Sequence, residues 1–435
     1  MKTADRAPVV AWAILALLML ASIVSFVDRQ VMTIVVEPMK SDLGATDSQI
    51  GWLYGVFAVF YAIAAWPIAL MADRKSRKHI IAAGVFFWSI MTLACGLSRQ
   101  FWQVFVARIG VGVGEASLGP ATVSMVGDLF PRTQIPLALS VFQTAAVMGS
   151  GLAFIIGGVV LELVQQADPL VLPVVGALAP WQQTFVYVGL PGLLLALVFL
   201  LLREPQRKRP PASNTVSLAE LKAFYRRNGT ALAFHHLGFL SLALLGYAFV
   251  FWSVSYFVRV HGEDAASAAR TFGWIFLLTG PIGPVAAAMF ARFLAGRGCR
   301  DANILAGMVA GCLAVPAIVL IQFAPSATWA YVLYVPAMIF VNAPFGIANG
   351  SLPVIAPSLI HAQVAAIYLF VVSIGNLLGP PIAGYFNEVV FSEADGVRYS
   401  IISLTVGFGV LGVLLLQLAR RPYAAALEHM EAADA

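Results

Sequence analysis

The chain has 435 residues, of which 60% are apolar and only 11% charged, against roughly 25% charged in a soluble domain. So much oil excludes a water-soluble fold. The net charge of +5 is spread as short Lys/Arg clusters between apolar runs, which excludes a nucleic-acid-binding face. Cys95, Cys299 and Cys312 have no metal-ligand spacing and cannot make an even disulfide framework, so they read as packing residues and no metal is expected.

A helix needs about 20 apolar residues to cross a bilayer. Lys2 and Arg6 precede the first apolar run, whose core is too long for a signal peptide, so it reads as a retained first span. Spans are predicted over 9–36, 51–72, 79–97, 101–127, 135–162 and 183–202. A long, polar, basic connection over 203–230 follows, opening Arg203-Glu204-Pro205-Gln206-Arg207-Lys208-Arg209. Within it Ser217-Leu218-Ala219-Glu220 has the form of a capping box, and Leu221, Phe224 and Tyr225 among Lys222, Arg226 and Arg227 predict a short amphipathic helix on the membrane surface. Six further spans are predicted over 231–258, 271–295, 302–323, 328–355, 362–387 and 399–419.

The expected fold is therefore all-α and membrane-integral, with twelve transmembrane helices. Its expected domains are an N-terminal six-helix bundle (1–202), the linker (203–230), a C-terminal six-helix bundle (231–421) and a tail (422–435). Twelve spans put both termini on one side. That side carries 19 of the 26 Lys and Arg residues, the other side five, and two lie inside spans. The positive-inside rule then makes the termini cytoplasmic, and a bacterial inner membrane is the expected location.

Asp28, Arg29, Arg108 and Glu115 fall well inside predicted spans, all in the first half. Charge there costs a few kcal/mol per residue and usually faces a cavity or a partner. With a rise of 1.5 Å per residue, Asp28 and Arg29 lie about 6 to 9 Å outward of the middle of the first span. Arg108 lies about 9 Å outward in the fourth span, and Glu115 near its centre. Arg108 and Glu115, seven residues apart, share a helix face, so Asp28 is expected opposite Arg108. Two readings stand: pairs that only hold helices together, or carboxylates that alternate between an arginine and a proton.

The second half offers neutral groups instead: His235, His236, Tyr247, Trp252, Asn342, Asn349, Tyr368 and Asn376. His235 and His236 lie too near the start of the seventh span to be expected as a proton site. The others are candidates to line a cavity, although such residues often satisfy one another across helix interfaces. Zinc-protease, paired-aspartate and nucleophile-elbow patterns are all missing, so no enzyme is expected. Without a phosphate-binding loop, an ion gradient or simple diffusion is the energy source expected, and protons, not a cofactor, are the coupling species.

Ala69-Leu70-Met71-Ala72-Asp73-Arg74-Lys75-Ser76-Arg77-Lys78, after the second span, resembles the signature loop of the major facilitator superfamily, with Ala69 and Ser76 where that pattern has glycines. The resemblance implies the major facilitator fold and assigns Asp73, Arg74 and Arg77 to an inner gate. The matching second-half loop, Arg292-Phe293-Leu294-Ala295-Gly296-Arg297, lacks the acid. Val27-Asp28-Arg29, Arg108-Ile109-Gly110-Val111-Gly112-Val113-Gly114-Glu115-Ala116-Ser117, Gly127-Asp128-Leu129-Phe130-Pro131 and Val147-Met148-Gly149-Ser150-Gly151-Leu152 resemble the spinster family of lysolipid and sphingolipid transporters. That likeness implies a secondary transporter of an amphiphilic, lipid-like molecule; the deep charges add proton coupling, and a monomer is expected. Asp28 and Glu115 would couple protons, and Arg29 and Arg108 would serve as their partners or meet the substrate head group. A drug or organic-anion transporter, a uniporter and a transporter-like sensor are the alternatives.

Overall fold

A computed structural model describes residues 7–173, 175–207, 218–393 and 395–434, without the side chains of Asp73, Val147, Ala362, Ala433 and Asp434. Among the described residues twelve helices are long and apolar enough to cross a membrane. In the first half they are Val9–Ile34, Asp47–Ala72, Arg77–Leu97, Phe101–Leu129, Ile135–Gln166 and Pro180–Leu201. Gly229–His261, Ala265–Gly296, Ala302–Ile321, Ala327–Ile355, Gln363–Val390 and Gly396–Ala432 follow. They are called spans 1 to 12 below.

Local chemistry explains where these helices depart from the apolar runs. Span 2 starts at Asp47, before its apolar residues, because Thr46 and Gln49 form a capping box: Gln49 N donates to Thr46 Oγ1 (3.1 Å) and Thr46 N to Gln49 Oε1 (2.9 Å). Span 4, predicted as one rod, breaks into Phe101–Glu115 and Leu118–Leu129. Pro120 has no N–H to donate to the Ala116 carbonyl, and the chain tightens so that Ser117 N donates to Gly114 O (3.1 Å). Span 8 breaks in the same way at Gly280-Pro281, between Ala265–Thr279 and Ile282–Gly296. Between spans 5 and 6 a two-residue antiparallel hairpin pairs Val171 with Ala177 and Leu172 with Gly176.

The chain forms two compact units. The first comprises residues 1–213 and 264–277, the second 214–263 and 278–435. Within the first, spans 1, 2, 3, 4 and 6 share an apolar core around Phe57, Trp88, Val111 and Phe199. In the second, the core runs through Phe239, Ile347, Leu352, Tyr368 and Tyr423.

The linker holds a helix at Leu218–Arg227, while its predicted cap at Ser217 and all of 208–217 lie outside the described residues. Its apolar face was expected on the bilayer but is turned onto the second unit's core: Phe224 is buried there, with Leu221 and Tyr225 packed beside it. The tail is helical too, since the last helix runs from Val410 to Asp434. Tyr423 and Ala426 are buried in the same core, and the Tyr423 hydroxyl donates to Ser351 O (2.7 Å).

Candidate functional site

The four intramembrane charges come together in the first unit. Asp28 and Arg29 are neighbours on span 1, about 100° apart around the helix, so they cannot face the same partner. Arg29 reaches Glu115, its Nη2 donating to Oε2 at 2.8 Å with the acid side chain fully enclosed. Its guanidinium lies over Phe57 (4.5 Å to the ring centroid), Phe26 (5.0 Å) and Tyr61 (5.6 Å). Arg108 also stands against Phe57, at 5.2 Å. One aromatic ring therefore meets both cations.

The expected carboxylate pairing of Asp28 with Arg108 is not formed. Arg108 Nη1 donates to the backbone carbonyl of Asp28 (3.3 Å) and its Nε to that of Leu53 (3.4 Å). Both Asp28 carboxyl oxygens, Arg108 Nη2 and Glu115 Oε1 are buried without a hydrogen-bond partner. The Trp88 indole is beside Asp28 but outside hydrogen-bond geometry. Close backbone approach holds the frame: a Cβ on Gly112 would stand 2.5 Å from the Phe57 carbonyl oxygen. The set thus places one ion pair beside one carboxyl that accepts no hydrogen bond.

The signature loop places Arg74 in solvent and Arg77 fully inside; the Asp73 side chain is outside the described residues. Arg77 forms an ion pair with Asp128, and its Nε donates to Glu204 Oε1 (2.9 Å) and its Nη2 to Pro205 O (2.7 Å). Glu204 in turn accepts from Ser76 Oγ (2.7 Å), Lys78 N (2.9 Å) and Arg77 N (3.1 Å). The carboxylate thereby caps the open N–H groups at the start of span 3. Asp128 and Glu204 were not singled out as site residues from the sequence. The available signal for Glu204 was a lone acid among Arg203, Arg207, Lys208 and Arg209.

Burial pushes the Glu204 carboxyl up, but hydrogen bonds from Lys78 N, Ser76 and Arg77 outweigh it and hold it below its usual 4.5. A depressed folded value means that the stabilisation is complete above the unfolded value and is lost as pH falls through the folded one. Glu204→Gln should cost about 1–3 kcal/mol at neutral pH. In thermal melts taken downward from about pH 5, the wild type should lose more stability than the variant. Parallel curves would show that the carboxylate is not what holds this corner.

In the second unit His235 and His236 are joined through their Nδ1 atoms at 3.0 Å, with His235 Nε2 at 2.7 Å from Ser351 Oγ. Both imidazoles pack against the Tyr368 ring, at 5.5 and 5.7 Å. Tyr368 is buried and borders, with Phe345, a gap too small for a water molecule, and Tyr247 meets the Phe345 ring at 5.5 Å. Trp252, expected at a cavity, is instead a packing residue: it is fully enclosed, and its indole N–H donates to Pro380 O (3.0 Å). Asn342 donates to its own helix at Met338 O (2.8 Å), Asn349 is exposed, and Asn376 Oδ1 is buried without a partner.

Residues 18–380 match the family model of the Major Facilitator Superfamily. Protein spinster homolog 1 of Homo sapiens is 29% identical over 292 residues, 62% of this chain and 52% of the relative, so the chain spans about half the length of the spinster relatives it matches. An MFS-type efflux pump of Mycolicibacterium smegmatis is 24% identical over 97% of this chain and 95% of its own. Among solved structures, a bacterial homolog of the human lysosomal transporter Spinster, inward-facing and occupied, superposes with a TM-score of 0.80 at 26% identity, covering 94% of this chain and 96% of that one. A membrane-integral chain of twelve helices in two six-helix bundles, this protein belongs to the major facilitator superfamily, a family of transporters and not of enzymes, and resembles its spinster members.

Proposed function

We propose that the chain is a proton-coupled secondary transporter that moves a small amphiphilic molecule, of lysolipid or sphingoid type, by alternating access. The observation that carries the coupling is the enclosed charge set of Asp28, Arg29, Arg108 and Glu115, in which one carboxyl has no hydrogen-bond partner and the other is held by an arginine. Intramembrane carboxyls so placed mark proton and substrate paths. The spinster likeness supports the amphiphile, whose anionic head would meet Arg29 or Arg108. Tyr247, Asn349, Tyr368 and Asn376 would give the neutral wall, and Asp73, Arg74 and Arg77 the inner gate. The Lys/Arg bias supports cytoplasmic termini, and a bacterial inner membrane is the proposed location.

A second reading, export of drugs or organic anions, is favoured by the efflux pump that aligns over 97% of the chain. Proteoliposomes separate the two. With an imposed pH gradient, a labelled anionic lysophospholipid or phosphorylated sphingoid should accumulate uphill, and a lipophilic cationic dye and a small organic anion should not. Uphill movement of the dye or the anion alone would favour the second reading, and flux indifferent to pH would make the chain a uniporter.

A further inference from the structure

A groove of about 500 Å³ runs along the flank of spans 2, 3 and 4 in the first unit, within the size range of small-molecule sites. Its walls are apolar, with Ala83, Phe87 and Val113 along its length. Phe87 and Met71 are each 41% exposed, so the groove opens sideways, where a membrane protein meets acyl chains. Its mouth is polar: Lys75, Ser76 and His79 line it, His79 Nδ1 lies 2.8 Å from Ser76 Oγ, which donates to Glu204, and the exposed Lys75 supplies the cation.

Ser117, at the break in span 4, lines the same groove. It is 3% exposed, and its hydroxyl has no hydrogen-bond partner. A Cβ on Gly84 would stand 1.8 Å from that hydroxyl oxygen, so the glycine makes the room in which it sits. A buried, unsatisfied hydroxyl is destabilising, and a ligand oxygen would give it a partner.

We infer that this groove is a binding site for an anionic phospholipid of the leaflet on the Lys75 side. Its phosphate meets Lys75 and His79, an acyl chain lies against Ala83, Phe87 and Val113, and an ester oxygen accepts from Ser117. An apolar trough with a cationic rim complements an anionic head and an oily tail. Ser117 is two residues from Glu115, so the bound lipid touches the turn that positions the Arg29–Glu115 pair. The site does not require lipid to be the transported molecule.

Native mass spectrometry of the purified full chain tests it with phosphatidylglycerol, phosphatidylcholine and glycerol 3-phosphate as probes. The wild type should retain one phosphatidylglycerol at least fivefold in preference to phosphatidylcholine, and glycerol 3-phosphate should not displace it. Lys75→Ala should lower retention severalfold. Ala83→Trp, at an exposed position, should abolish retention while its lipid-free melting temperature stays that of the wild type. Equal retention of both phospholipids, displacement by glycerol 3-phosphate, or undiminished binding to folded Ala83→Trp would each overturn the site.

Discussion

Asp28→Asn should hold the substrate at its external concentration in proteoliposomes whatever pH gradient is imposed, while exchange of labelled for unlabelled substrate continues. A coupled carrier needs a group whose charge changes with its proton, and that charge must bias the balance between its two access states. Asp28 is placed for this: it is wholly enclosed, neither carboxyl oxygen has a hydrogen-bond partner, and Arg108 is bonded to its backbone carbonyl instead. A proton added or removed there alters the field felt by Arg108 and Glu115, with no competing local bond to absorb the change. Asparagine keeps the shape and removes the titration. One proton per substrate and one pH unit are worth about 1.4 kcal/mol, so the wild type should accumulate about tenfold and the variant about onefold. Accumulation by Asp28→Asn at the wild-type ratio would move the coupling to another residue.

Much of the architecture was legible because the bilayer imposes a length on apolar runs, and the interruptions by Lys/Arg clusters were unambiguous. Less legible were places where local chemistry overrides hydropathy. The Thr46–Gln49 capping box carries span 2 back to Asp47, and Pro120 splits span 4 beside Glu115. The tail helix persists past Arg421 because Tyr423 and Ala426 find a core to bury in. The four deep charges stood out because charge is rare in spans, yet their pairing did not, since it depends on which way two adjacent residues of span 1 point. Asp128, although inside a spinster-like motif, and Glu204 gave no hint of their partner for the opposite reason: acids near span ends are ordinary, and only the fold brings both to Arg77.

The Arg29–Glu115 pair should prove asymmetric when one partner is neutralised. Removing one member of a buried ion pair strands the other, at a cost of about 3–5 kcal/mol when both are enclosed; Arg29 is 19% exposed, which lowers the figure on its side. Glu115→Gln leaves the guanidinium over Phe26, Phe57 and Tyr61, whose ring faces stabilise a cation by about 0.5–2 kcal/mol. Arg29→Gln leaves a fully enclosed carboxylate whose Oε1 already has no partner. Arg29→Gln should therefore lower the melting temperature more than Glu115→Gln does. The double variant should be more stable than Arg29→Gln alone, because no charge is then stranded. A double-mutant cycle on thermal melts in detergent reads the coupling directly. Strictly additive losses would mean that the 2.8 Å contact contributes nothing to the fold. In that case any effect of Glu115→Gln on transport would report on the proton or the substrate alone.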